Sequence, residues 1–227
     1  MLDKVYKAGI NNRSVRLSTK SELIRMSEQE AVNIIKTGGV LVYPTETLFA
    51  IGADASDERA ANRVARIKGR PVSKPLPLII GSMEQLDLVT DFISSEILKL
   101  AKSFWPGPLS ILIKARGELP SAVKDSRGYT SVRWTDHPLA CALCIKSRTA
   151  LIATSANMSG KQAVAKVEDL DNELTVMAEG VFDGCPGPKG GSPSTVVEPL
   201  CGGKVRVLRD GVISRKTLIR AGFAVVR

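Results

Sequence analysis

Short apolar runs alternate along the chain with segments in which apolar residues recur every three or four positions. The runs are typical of buried strands, and the spaced segments are typical of helices with one buried face. The predicted strands cover residues 14–18, 40–43, 76–80, 109–114, 130–134, 150–154, 196–198 and 205–208. Strands and helices alternate irregularly without a visible repeat, which favours one α/β (α+β) domain with a largely buried sheet.

The predicted helices begin after residues that can cap them. Ser27 and Glu30 have the spacing of a capping box, and two glycines end the helix that follows. Ser56 is expected to cap the second helix, and Ser82 the third. Apart from the helices after Ser27 and Ser82, the predicted helices cover residues 57–67, 95–104, 138–146, 167–173 and 214–221.

The size and composition of the chain favour a soluble protein with one domain. The 227 residues include 44% hydrophobic and 24% charged residues, which is ordinary for a globular protein. Residues 184–193 form a Gly/Pro-rich stretch, but too little patterned chain follows them for a second domain. We therefore expect residues 20–227 to form one domain and the basic residues 1–19 to form an arm or a first strand.

The net charge of +9 favours anionic partners such as nucleotides or nucleic acid, although a basic surface that binds nothing remains an alternative. His137 is the single histidine, which argues against multi-histidine metal sites and Cys-His or Ser-His-Asp catalysis. We expect it to cap the following helix. Cys141 and Cys144 are interpreted as buried reduced thiols, with a redox or zinc pair as the alternative. No signal peptide or membrane-spanning run is evident, so we expect a cytoplasmic protein.

Three segments that lie far apart in the chain carry most of the candidate chemistry. Lys68 and Arg70 follow a predicted helix, where they either interact with the helix dipole or form a phosphate clamp. Residues 154–160 leave a predicted strand, and their hydroxyl and amide groups either form a turn or bind an anion. Residues 192–197 place hydroxyl groups at the start of another strand. Together they would form a positively charged pocket suited to phosphates and a small polar substrate.

Further candidates stand at the ends of predicted strands. Either Glu46 and its neighbouring threonines form an exposed capped turn, or the threonines contact a small polar substrate and Glu46 contacts a cation or an amine. Arg133 and Arg209 end two other strands, where an arginine is more often part of a surface pair than of a ligand site. The chain contains neither a P-loop nor a Rossmann glycine motif, so a nucleotide would bind in another way.

These segments belong to a longer ordered set of motifs. The set comprises VYPTET at 42–47, K-x-R-P at 68–71, FWPGP at 104–108, VR at 132–133, DHPL at 136–139, TSAN-x-SG at 154–160 and PSTVV at 193–197. In this order they resemble the YrdC-like family, the threonylcarbamoyl-AMP synthases of tRNA modification. The chain is most similar to the short, single-domain bacterial form, because Lys74 and Ile79 stand where the longer form has Asn and His.

The resemblance implies a YrdC/RibB-like domain with a twisted, open, mixed sheet flanked by helices and a basic concave face. It also implies a nucleotidyltransferase that converts L-threonine, bicarbonate and ATP to threonylcarbamoyl-AMP and diphosphate. The product would serve formation of N6-threonylcarbamoyladenosine in tRNA through separate threonylcarbamoyl transferase proteins. ATP is then a substrate, and Mg²⁺ is expected to be held mainly by its phosphates because the sequence shows no carboxylate cage.

By motif position, the resemblance also implies the substrate contacts. Thr47, Arg133 and Ser194 would contact threonine or its carbamate. The expected ATP contacts, of which the first two are the expected catalytic residues, are Lys68, Arg70, Ser155, Asn157 and Arg209. No protein metal ligand is expected.

Two alternatives remain at this point. The chain could be a non-catalytic module that binds RNA with its basic concave face, but 4% aromatic residues argue against recognition by base stacking. Weak binding of tRNA or double-stranded RNA through phosphates stays open. An inactive relative is disfavoured by the intact K-x-R and S-x-N motifs. Residues 184–193 are expected to be either a lid over the substrates or a surface linker.

Overall fold

The structure of the chain, a computed structural model, describes residues 26–69, 74–158 and 160–226. Three predictions lie outside the described residues: the arm at 1–19, the strand at 14–18 and the role of Arg70. The remaining segments fold into eleven strands and six α-helices in the described part of the chain. None of the helices described there is long and apolar enough to cross a membrane.

The strands are short and mostly buried. They are β1 (Leu41–Pro44), β2 (Phe49–Gly52), β3 (Leu78–Ile80), β4 (Leu109–Lys114), β5 (Tyr129–Trp134), β6 (Leu151–Ile152), β7 (Thr154–Ser155), β8 (Gly180–Val181), β9 (Thr195–Leu200), β10 (Lys204–Arg209) and β11 (Ala224–Val226). The α-helices are α1 (Glu28–Lys36), α2 (Glu58–Ile67), α3 (Ser95–Phe104), α4 (Pro138–Ser147), α5 (Asn172–Met177) and α6 (Arg215–Arg220). Short 3₁₀ helices cover Glu84–Leu88, Ser121–Val123 and Val167–Asp169.

The strands form two mixed sheets. The larger sheet has the order β11-β10-β9-β4-β5-β3-β6, and the smaller has the order β7-β2-β1-β8. In the larger sheet β4 is antiparallel to β5 and parallel to β9, so the sheet is mixed at its centre. This arrangement confirms the prediction of a mixed α/β domain.

Residues 150–154, predicted as one strand, divide between the two sheets. β6 pairs with β3 in the larger sheet, whereas β7 pairs with β2 in the smaller one. Between them, Ile152 N donates to Ala53 O at 2.9 Å and Ala153 N donates to Pro77 O at 2.8 Å. The prediction of a continuous strand is wrong because successive amides find partners in different parts of the fold.

The β1–β2 hairpin packs closely against β6. Tyr43 Oη donates to Ile152 O at 2.5 Å. A Cβ atom on Gly52 would lie 1.6 Å from the same oxygen. Only glycine therefore allows β2 to approach β6 this closely, and the approach fixes the turn between β1 and β2 over the larger sheet.

Helices α1 and α4 pack against each other, and α4 also packs on β1 and β3. Cys144 of α4 is buried, which raises the pKa of its thiol, while Cys141 is half-buried. Both are free thiols, in agreement with the interpretation as a reduced pair, although only Cys144 is fully buried.

Several predicted caps differ from the structure. Asp57, not Ser56, caps α2 by accepting hydrogen bonds from two amides of the first turn. The segment after Ser82 forms a 3₁₀ helix without a side-chain cap. His137 occupies the N-cap position of α4 but makes no capping bond, because its ring contacts Pro186 O instead. Residues 167–173 divide into a 3₁₀ turn and the start of α5, which Asp171 caps.

Candidate active site

A cavity of about 350 Å³ opens between the β1–β2 turn, the end of β5, strand β7 and the segment that enters β9. Its volume is in the range of small-molecule sites. It is lined by Thr45, Thr47, Leu48, Phe49, Ala50, Pro77, Arg133, Ala153, Thr154, Ser155, Gln162, Ala163, Gly191, Pro193, Ser194 and Arg209. The three residues predicted to contact threonine, namely Thr47, Arg133 and Ser194, all belong to this lining.

Arg133 is held at the cavity by a buried carboxylate. Its Nε donates to Glu46 Oε1 at 2.6 Å, and Thr135 Oγ1 donates to Glu46 Oε2 at 2.7 Å. The side chains of Arg133 and Glu46 are only 6% and 4% exposed. The interpretations of Glu46 as an exposed turn residue and of Arg133 as part of a surface pair are therefore wrong.

The environment of Glu46 favours its ionised form. Burial alone would raise the pKa of this carboxyl group, but the charge of Arg133 and the hydrogen bonds from Thr135 and Arg133 outweigh burial and lower the pKa. Glu46 is consequently a carboxylate at neutral pH, and both of its oxygens already accept hydrogen bonds from the protein.

Ser194 is oriented by two neighbours on adjacent strands. Arg209 donates from Nε and Nη2 to Ser194 O at 3.0 and 2.7 Å, and from Nη2 to Ser194 Oγ at 2.9 Å. Ser110 Oγ lies 3.1 Å from Ser194 Oγ. Arg209, predicted as an ATP contact, thus lies beside a residue predicted to contact threonine.

Lys68 connects the end of α2 to the loop after β7. Its Nζ donates to Ser155 O at 2.6 Å, to Asn157 Oδ1 at 3.1 Å and also to Asn157 O. Lys68 is only 4% exposed. It is therefore not a solvent-exposed cation at a helix end, because its charge lies against the predicted ATP-binding residues Ser155 and Asn157.

The Gly/Pro-rich segment 184–193 lies against the β1–β2 turn at the cavity. Lys189 N donates to Glu46 O at 3.3 Å, and Gly190 N donates to Thr47 O at 2.8 Å. Nearer its start, the ring Nε2 of His137 lies 2.9 Å from Pro186 O. The segment is thus attached to the β1–β2 turn and to the start of α4 before it enters β9.

Three supporting residues were not predicted from the sequence. These are Thr135, Ser110 and, in its role as partner of Arg133, Glu46. Ser110 is the one hydroxyl residue in the apolar run 109–113, which is a signal that could have revealed it. Thr135 and Glu46 gave no such signal, because their contact joins residues 89 positions apart.

The described part of the chain contains no group of three or more His, Cys, Asp or Glu side chains that could hold a metal ion. Among the described residues that line the cavity there is no carboxylate, because Glu46 lies behind Arg133.

A profile of the Sua5/YciO/YrdC family, described as telomere recombination, matches residues 33–211. The chain belongs to this family. Over 177 residues it is 34% identical to the threonylcarbamoyl-AMP synthase of Stutzerimonas stutzeri, covering 78% of this chain and 94% of the relative. It is 36% identical over 166 residues to the threonylcarbamoyl-AMP synthase of Vibrio cholerae, covering 70% of this chain and 88% of the relative.

The threonylcarbamoyl-AMP synthase of Pyrococcus abyssi is 34% identical over 154 residues, which cover 68% of this chain but 45% of that longer protein. Sua5 of P. abyssi, in its complex with L-threonine, superposes with a TM-score of 0.80 and 30% identity, over 89% of this chain and 60% of that one. YciO of E. coli superposes with a TM-score of 0.72 and 25% identity, over 84% of this chain and 92% of that one. These similarities confirm the predicted family and the YrdC-like fold.

Proposed function

We propose that the chain is an L-threonylcarbamoyladenylate synthase, a nucleotidyltransferase that makes threonylcarbamoyl-AMP and diphosphate from L-threonine, bicarbonate and ATP. The observation that carries this proposal is the meeting of Thr47, Arg133 and Ser194 at one cavity. Ser155, which belongs to the loop held by Lys68, lines the same cavity. Relatives that share this fold carry the name threonylcarbamoyl-AMP synthase, and one related structure contains L-threonine.

The proposed reaction needs no nucleophilic side chain. The amine of threonine and bicarbonate form a carbamate with loss of water. A carbamate oxygen then attacks the α-phosphorus of ATP, the bond from that phosphorus to the β-phosphate bridging oxygen breaks, and diphosphate leaves. Such transfer depends on positioning and on charge stabilisation by the surrounding groups.

The proposed roles divide the cavity into two sides. Thr47, Arg133 and Ser194 contact threonine and its carbamate, with the guanidinium of Arg133 matching a carboxylate. The residues proposed to contact ATP are Lys68, Arg70, Ser155, Asn157 and Arg209. Within this set, Lys68 and Arg70 are the proposed catalytic residues. Lys68 also holds residues 155–157, and Arg209 lies beside Ser194.

Mg²⁺ is proposed to arrive with the phosphates of ATP, because the described residues of the lining include no carboxylate. We further propose that the protein acts in the cytoplasm and that its product passes to separate tRNA threonylcarbamoyl transferase proteins. Any direct contact with tRNA or double-stranded RNA is expected to be weak and strongly salt-dependent, since it would come from the net charge of +9.

The test is incubation with ATP, labelled L-threonine and bicarbonate, with detection of diphosphate and of the labelled adenylate. Omission of L-threonine or of bicarbonate is expected to abolish both products. Turnover of ATP that is indifferent to L-threonine would refute the proposal. A nanomolar RNA complex that survives high salt, together with no adenylate, would instead favour the RNA-binding module.

A further inference from the structure

Among the described residues, the guanidinium of Arg133 bonds to the protein through one of its three nitrogens. Its Nε donates to Glu46 Oε1. Neither Nη1 nor Nη2 is found with a hydrogen-bond partner among the described residues, and Arg133 lines the cavity. A planar guanidinium anchored through Nε presents its two terminal amino groups as a fork, which is the geometry that binds a carboxylate.

Glu46 is fixed on both its side chain and its backbone. Its carboxylate accepts from Arg133 and Thr135, two residues that lie on the same side of β5 and its continuation. Its backbone carbonyl accepts from Lys189 N of the segment 184–193. One residue therefore connects the arginine at the cavity to the segment that leads into Ser194.

Glu46 does not belong to the lining of the cavity, and both of its carboxylate oxygens are engaged. Its charge is therefore paired with Arg133, and its place behind the lining separates it from a ligand in the cavity. An ionised carboxylate buried next to a guanidinium can, however, hold that guanidinium in one rotamer and offset its charge while the site is empty.

We infer that Glu46 is a positioning residue for the threonine side of the site, where it holds the Arg133 fork at the angle that receives the carboxylate of L-threonine. This inference rests on the proposed function, because it takes L-threonine as the ligand of Arg133. It separates Glu46 from the residues that touch substrate, and it predicts that the effect of Glu46 passes through Arg133.

The experiment measures KM for L-threonine, KM for ATP and the Kd of L-threonine alone by calorimetry. Glu46→Gln is expected to raise the KM and Kd for L-threonine at least tenfold and to leave the KM for ATP within twofold. Glu198→Gln is the matched control, since Glu198 also pairs with arginines, Arg127 and Arg206, but lies outside the cavity lining. It is expected to leave all three constants unchanged.

A double-mutant cycle separates positioning from direct contact. Arg133→Gln alone is expected to weaken L-threonine at least tenfold, and Glu46→Gln is expected to add less than twofold to it. If the losses of L-threonine affinity in the two single variants multiplied in the double variant, Glu46 would act independently of Arg133. That result would overturn the inference. Equal loss of affinity for ATP and L-threonine in Glu46→Gln would also overturn it, because that result indicates general damage to the fold.

Thr135→Val provides a second route if Glu46→Gln does not fold. It removes the hydroxyl donor to Glu46 Oε2 and the acceptor of the His137 amide, and it keeps the Arg133 pair. It is expected to raise the KM for L-threonine two- to fivefold without changing that for ATP, and an unchanged KM would contradict the inference. The proposed function would be refuted if turnover by the wild type did not depend on L-threonine. If the wild type required L-threonine and Glu46→Gln had the same constants as the wild type, only the role of Glu46 would be refuted.

Discussion

Lys68 and Asn157 form one unit although 89 positions separate them in the chain. The ammonium group of Lys68 donates to both the backbone carbonyl and the side-chain oxygen of Asn157. The end of α2 and the loop after β7 are thereby held together beside Ser155, which lines the cavity. The K-x-R and S-x-N motifs, which are distant in the sequence, consequently meet through this lysine.

Lys68→Met is expected to lower kcat/KM more than tenfold while the fold remains intact. The change leaves the carbonyl oxygens of Ser155 and Asn157 without their charged donor. Lys68 is also proposed to contact ATP, and loss of one charge-assisted hydrogen bond to a phosphate costs about 1.5–3 kcal/mol, whereas tenfold in rate corresponds to about 1.4 kcal/mol. Steady-state kinetics test the activity, and circular dichroism tests the fold.

Lys36→Met is the matched control for this lysine. Lys36 also lies in the last turn of a helix, α1, but it is exposed and outside the cavity lining. It is expected to retain wild-type kinetics. If both variants had wild-type kinetics, Lys68 would interact with the end of its helix and would have no role in the reaction.

Gly52→Ala is expected to destabilise the protein strongly. The added Cβ would lie 1.6 Å from Ile152 O and 3.0 Å from Tyr43 Oη, so either β2 or β6 must move. Overpacking that forces the backbone to shift typically costs about 1–3 kcal/mol and occasionally more. Gly117→Ala, whose Cβ would meet no atom within 4 Å, is expected to change stability by less than about 0.5 kcal/mol. Urea unfolding of the two variants makes the comparison, and equal midpoints would contradict the close approach of the strands.

The elements that were predicted well are those whose signals are local. β4 and α3 have the predicted bounds, because a continuous apolar run and a capped amphipathic pattern specify them within about ten residues. β2 was not predicted. Its four buried residues directly follow the turn after β1 and show no alternation of apolar and polar residues. Residues 150–154 were apolar enough for one strand, but the division between two sheets depends on partners at Ala53 and Pro77.

The chemistry of the site shows the same limit. The motifs identified the residue types at the cavity, and the family resemblance was confirmed by the profile match over residues 33–211. The burial of Glu46 against Arg133 could not be read from either segment alone, because a carboxylate after a strand is equally compatible with an exposed turn.

The single histidine is expected to make stability depend on pH. Burial lowers the pKa of His137, and the nearby charge of Lys189 lowers it further. The hydrogen bond to Pro186 O and the negative charges of Glu46 and Asp136 raise the pKa, but burial outweighs them. The folded state therefore prefers the neutral ring. In the unfolded chain the imidazole of this histidine has a pKa near 6.5. The free energy of unfolding is therefore expected to fall as the pH drops from about 6.5 towards the lower pKa of the folded state.

His137→Gln tests this pH dependence. Glutamine can still donate to Pro186 O but does not titrate. The melting temperature of the wild type is expected to decline more steeply between pH 7 and pH 5 than that of the variant. Parallel curves for the two proteins would show that His137 does not contribute to the decline.

The segment 184–193 is expected to become more protected when the substrates bind. Its Lys189 and Gly190 amides already donate to Glu46 O and Thr47 O, and its Gly191 and Pro193 line the cavity. Ligands that fill the cavity would hold the β1–β2 turn and Ser194 in place, which stabilises these two hydrogen bonds and shields the labile adenylate from water. Hydrogen exchange with and without ATP plus L-threonine measures the effect, and we expect at least tenfold slower exchange at Lys189 and Gly190.

The Gly202–Gly203 turn between β9 and β10 lies outside the cavity lining and serves as the internal control, with no change expected. Equal exchange of Lys189 and Gly190 in both states, together with full activity after the segment is shortened, would identify 184–193 as a linker and not a lid.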